Sequence, residues 1–104
     1  MPNVLKNAQA RATTAGSAVF TVPAGAVVTL IGVRGSNNDN ATNHWFHVDI
    51  NGYFITGVET PLPVGSALDA VEGNKIVAQA GDVITAYSDA DNVVDVTISY
   101  LEQT

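Results

Sequence analysis

The chain has 104 residues, 46% of them hydrophobic and 13% charged, with ten acids against four bases and a net charge of −6. That length makes one domain, and the composition is too apolar for a disordered chain. Four cations cannot neutralise several phosphates, which argues against a nucleic-acid partner, and the lack of cysteine removes disulfide frameworks, thiolate zinc sites and cysteine nucleophiles together.

At this size folding hides roughly 65% of the unfolded chain's surface, about 10,000 Å², enough for one modest core. Small secreted domains usually carry disulfides, so their absence points to cytosolic synthesis. No basic start with an apolar core marks a signal peptide. No apolar run approaches the ~20 residues of a membrane span, so a soluble protein with no membrane partner is expected.

Residues 1–7 hold Pro2 and two asparagines without periodicity and read as an N-terminal arm, which leaves 8–104 as a β-sandwich domain. Ala8, Ala10 and Ala12 alternate with Gln9, Arg11 and Thr13 in a weak first strand. Residues 18–22 form the next strand, ended by the turn Pro23-Ala24-Gly25. Residues 26–34 are the longest apolar run, partly buried on both faces, and 36–43 are a polar loop rich in Asn and Asp.

Residues 44–50 and 53–58 flank Asn51-Gly52, the pair best suited to a type I′ hairpin. A two-residue loop sets Ile50 against Tyr53, Val48 against Ile55 and Phe46 against Gly57. On the other face it sets Asp49 against Phe54, His47 against Thr56 and Trp45 against Val58. One face of such a hairpin meets the core, yet both faces carry large apolar groups.

Pro61-Leu62-Pro63 and a Gly65-Ser66 turn follow, then strands at 67–71, 75–78 and 83–88, and a last hairpin through Asp89–Asn92 into a strand at 93–101. No segment has a helical period. The unit Phe20-Thr-Val-Pro-Ala-Gly-Ala-Val-Val-Thr29 returns as Ile76-Val-Ala-Gln-Ala-Gly-Asp-Val-Ile-Thr85, each with a threonine four places after the glycine. About eight short strands with turn signals roughly every 8–12 residues give an all-β, single-domain antiparallel sandwich, of jelly-roll or Greek-key order. The repeated turn fits a jelly roll of two similar Greek keys.

Catalytic chemistry is not visible. In His44-x-x-His47-x-Asp49, strand alternation separates His44 from the other two, and two ligands do not make a metal site. Asp89-x-Asp91-Asn92 starts like a calcium loop but has Val94 at the sixth position and Tyr100 at the twelfth. No Gly-x-Ser-x-Gly elbow is present, and Gly32-Val-Arg-Gly35 lacks the spacing of a phosphate cradle. No enzyme, cofactor or metal is expected. What remains is the hairpin's second face, where Trp45, Phe54 and Val58 with His47 form a candidate interface, since large aromatics concentrate at binding hot spots.

Four segments together carry a family resemblance. They are Thr21-Val-Pro-Ala-Gly-Ala-Val-Val-Thr-Leu-Ile31, Leu62-Pro-Val-Gly-Ser-Ala-Leu68, Lys75-Ile-Val-Ala-Gln-Ala-Gly-Asp-Val-Ile84 and the closing Asp95-Val-Thr-Ile-Ser-Tyr-Leu-Glu102. Over about residues 18–102 the chain resembles the small β-sandwich virion proteins of tailed bacteriophages. The resemblance implies a structural protein of the virion, made in the bacterial host cytoplasm, with no active residues to carry over. Foremost it implies a capsid decoration (cement) protein, a homo-oligomer and by preference a trimer, bound to the phage major capsid protein. A tail, collar or fibre component is the alternative. From a different class, a carbohydrate-binding module would use Trp45 as a stacking platform beside His47 and Asp49.

Overall fold

Alternating apolar and polar residues carry most of the chain into strands, as in β10, where Val94, Val96, Ile98 and Tyr100 are buried and Asp95, Thr97 and Ser99 between them are half-buried. The computed structural model describes residues 3–57, 59–69 and 76–104. In chain order the strands are β1 (Asn3–Arg11), β2 (Ser17–Thr21), β3 (Val27–Asn37), β4 (His44–Ile50), β5 (Tyr53–Phe54), β6 (Thr60–Leu62), β7 (Ala67–Asp69), β8 (Ile76–Gln79), β9 (Val83–Ser88) and β10 (Val94–Gln103).

These strands fill eight positions in two facing sheets. The first sheet runs β1-β10-β3, with β7 and β8 sharing the far side of β3; the second runs β2-β9-β4, with β5 and β6 sharing the far side of β4. Every strand pairing is antiparallel. The chain alternates between sheets from one position to the next, except from β4 to the position shared by β5 and β6, which lie in the same sheet. That order is a jelly roll. Two of the eight positions are each filled by two short strands, which accounts for ten.

The echoing turns have a structural meaning. Gly25 (φ 80°) and Gly81 (φ 89°) each occupy the third place of a tight turn, closed by Ala26 N–H to the Pro23 carbonyl (3.2 Å) and Asp82 N–H to the Gln79 carbonyl (2.9 Å). A positive φ there favours glycine. The two corners lie side by side, with Val22 N–H on the Asp82 carbonyl at 2.9 Å and Gly81 N–H on the Val22 carbonyl at 3.0 Å. β2 pairs with β9 and β3 with β8, so the two units lie against each other strand for strand.

The core lies between the sheets. Val28, Leu30, Val33, Val94, Val96 and Ile98 from the first sheet meet Phe46, Val48, Ile84 and Ala86 from the second. Phe46 fits because Gly35 on β3 carries no side chain: a Cβ there would lie 2.6 Å from Phe46 Cζ. Gly35→Ala is therefore expected to lose about 1–3 kcal/mol by overpacking, read as a lower urea midpoint at an unchanged slope.

Of the N-terminal arm expected at residues 1–7, residues 1–2 lie outside the described residues and the remainder is strand. Asn3–Asn7 are the first half of β1, registered against Ser99–Gln103 of β10. The segment has no apolar alternation because the backbone ladder, rather than a buried face, holds it: Leu5, Lys6 and Asn7 are exposed. The hairpin is half as expected. Asn51 (φ 52°) and Gly52 (φ 88°) form its turn, and Ile50–Tyr53 and Asp49–Phe54 pair as predicted. Beyond Phe54 the chain bends, with Ile55 and Thr56 N–H both directed at the Val48 carbonyl, and β6 takes over against β4. Phe46 thus faces Thr60, not Gly57, and Trp45 faces Pro61.

Candidate interaction surface

Alternation on β4 turns Phe46 and Val48 into the core and leaves Trp45 and His47 on the outer face of the second sheet. β9 places Tyr87 directly opposite His47, and β5 places Phe54 opposite Asp49. The four rings form one cluster. Trp45 and His47 are stacked with centroids 5.6 Å apart and planes 6° off parallel. His47 and Tyr87 are stacked at 4.8 Å and 26°, and Phe54 tilts against His47 at 4.7 Å and 57°. Tyr87 in turn leans on the corner after β1, where a Cβ on Gly16 would come to 2.5 Å from its Cε2.

Phe54 is 51% exposed and its neighbour Tyr53 80%, while Trp45, His47 and Tyr87 are half-buried. Asp49, beside them, is only 4% exposed. His47 Nδ1 is buried without a hydrogen-bond partner among the described residues. Of the four candidate interface residues, the structure brings together Trp45, His47 and Phe54; Val58 lies outside the described residues. Tyr87 was missed, since the pairing of β9 with β4 joins segments far apart in the chain.

His47 stacks on both Trp45 and Tyr87, so the aromatic side chains form one continuous apolar cluster on the outer face of the second sheet.

A second apolar area lies on the outer face of the first sheet. One cross-strand row runs Leu5–Leu101–Thr29–Val77, flanked by Val27 and by Ile31, the extra residue of a bulge against Ser99 and Tyr100. Leu5, Val27, Ile31 and Val77 are 71%, 40%, 41% and 57% exposed. The other end of that sheet is charged and self-paired, with Arg11 Nε on Asp95 (3.1 Å) and Arg34 Nε on Asp69 (2.7 Å).

His44 lies apart from the ring cluster, on the inner-face alternation of β4. Its side chain is 7% exposed and its two ring nitrogens both meet carboxylates, Nδ1 on Asp89 (2.9 Å) and Nε2 on Asp39 (2.9 Å). It thereby clamps the loop after β3 to the loop after β9. Two carboxylate partners require both nitrogens to donate. The Asp39 hydrogen bond, then that of Asp89, raises the His44 pKa above its ordinary 6.5, and the same His44 bond holds Asp39 below its ordinary 3.8.

The pH dependence follows in sign. The His44 contribution is full below about pH 6.5 and is lost as pH rises through the raised value. The Asp39 contribution is present above about pH 3.8 and is lost as pH falls through the lowered one; Asp69, held down by Arg34, and Asp82, held down by the Gln79 N–H and the Asn51 amide, act in the same sense. Thermal melts are expected to peak between these limits. His44→Gln is expected to flatten the decline on the alkaline side and to weaken the Asp39 part of the acid side, leaving the parts from Asp69 and Asp82.

Compared with known proteins, the chain matches no family model, no curated protein and no solved structure. The fold and its surfaces are what define it: a single-domain antiparallel β-sandwich in jelly-roll order, with an aromatic cluster on the outside of one sheet.

Proposed function

We propose that this protein is a bacteriophage virion structural protein, a capsid decoration (cement) protein that stabilises the head by bridging capsid subunits as a homo-oligomer. The observation that carries the reading is the Trp45–His47–Tyr87–Phe54 cluster, which lies outside a core already complete between the sheets. Large aromatics on an outer face concentrate at binding hot spots, and here Phe54 is exposed while the other three rings are half-buried. The resemblance of the turn segments to phage virion proteins supplies the setting. A jelly roll alone does not, because the same fold serves many roles.

The mechanism is passive and non-catalytic. Many weak contacts, repeated over the shell, add up by multivalency and resist the outward pressure of packaged DNA. One subunit needs only a rigid body and adhesive faces. The ladder of β1, β10 and β3 gives the first, and the aromatic face of the second sheet gives the second, with a trimer as the preferred assembly and the major capsid protein as the partner.

Cryo-electron microscopy of purified particles from a phage encoding this chain is the test. The reading expects copies on the outer shell with Trp45 and Phe54 covered by protein. Density in the tail, collar or fibre would replace the capsid assignment by its alternative. Particles that lack the polypeptide altogether would overturn the virion role.

A further inference from the structure

A sheet edge presents unpaired backbone donors and acceptors, and folded proteins shorten, bulge or interrupt their edges to keep other strands away. Three of the four edges described here carry such a device. β2 has five residues and a register shift between Ala18 and Phe20. β5 and β6 have two and three residues, and β6 contains Pro61. Among the described residues, β7 and β8 have three and four.

β1 has none of these devices. It runs nine residues without proline and pairs with β10 in unbroken register, from Asn3–Gln103 to Arg11–Asp95. Charged side chains are the remaining guard of an edge, and β1 has two, Lys6 and Arg11. Both are drawn back onto β10, Lys6 Nζ at 2.7 Å from Glu102 and Arg11 Nε at 3.1 Å from Asp95. Beside this open edge Leu5 is 71% exposed and Val4 42%.

We propose that β1 pairs antiparallel with β1 of a second copy, so that the first sheet continues across a two-fold axis. Charge selects a copy of this chain as the occupant. The protein carries a net −6, which makes copies repel, but β1 contains no acid and its cations are matched by Glu102 and Asp95. Two molecules can meet there without setting acid against acid. A register centred on Asn7 sets Val4 against Ala10, Leu5 against Gln9 and Lys6 against Ala8, so no like charges face one another. The shared ladder is about 30 Å long, and the same patch serves both partners, as a two-fold contact requires. This inference rests neither on the virion reading nor on the aromatic face of the second sheet.

Asn7→Cys tests it directly, since the chain has no cysteine. Opposed residues of an antiparallel pair lie about 4.5–5.5 Å apart at Cα, within disulfide reach. Mild oxidation is expected to convert Asn7→Cys to a covalent dimer faster than Gln9→Cys, which would face Leu5 instead. In sedimentation, Asn7→Lys is expected to weaken self-association about five-fold by placing like charges across the axis, and mixing it with Asn7→Glu to restore the dimer. Circular dichroism checks that each variant keeps its sheets. A wild-type protein monomeric at every concentration, equal cross-linking of the two cysteine variants, or an Asn7→Lys dimer of unchanged strength would each overturn the proposal. Phe54→Ser separates it from the other surface, since association through β1 survives that change.

Discussion

Phe46→Ala is expected to lower stability by about 3–5 kcal/mol, a large share of the roughly 5–15 kcal/mol that holds a domain of this kind together. The ring is fully buried, on a central strand of the second sheet, and it fills the space over Gly35 on a central strand of the first. That space collapses poorly. Its floor is the backbone of β3, which is tied to β10 on one side and β7 on the other, so the sheets cannot close without breaking ladder bonds. Urea unfolding checks the value, with a lower midpoint at constant slope as the expected outcome. Coupling to Gly35 is a sharper version: Gly35→Ala is expected to cost less in a Phe46→Leu background than alone, because the two positions share one volume.

Removing the outer rings is expected to have the opposite profile. Trp45→Ser with Phe54→Ser deletes apolar surface that touches other rings more than it touches the core. The isolated fold should therefore keep its sheets while self-association weakens. Truncation of a hot-spot residue costs about 2 kcal/mol or more, which is a drop of about 30-fold in affinity. Light scattering over a concentration series, beside thermal melts of the same samples, separates the two effects. Equal losses of mass and melting temperature would mean that the rings serve the fold and not a contact.

The sequence was most legible where structure is local. Asn51-Gly52 and the two Ala-Gly turns carry their own backbone requirements, so their places and the first hairpin pairs could be read directly. Legibility failed where distant segments decide. The first half of β1 looks shapeless because its order comes from β10, at the other end of the chain. β6 was hidden by Pro61 and Pro63, since prolines argue against a strand, yet Pro61 sits on a short edge piece where a missing donor is tolerated. Tyr87 sits in an alternating run that was recognised, but nothing in that run says which strand it lies beside. The clamp on His44 was also unreadable, because its carboxylates arrive from two loops, Asp39 five residues ahead and Asp89 forty-five behind.

The central claim is that the aromatic face of the second sheet is an interface between protein subunits, and the chain's single tryptophan reports on it. Acrylamide quenching of Trp45 fluorescence over a dilution series is the direct measurement. Quenching that rises as the protein is diluted, together with a red shift of the emission, is the predicted result. Constant quenching from dilute to concentrated solution, while the protein self-associates by mass, would place the contact elsewhere and contradict the account.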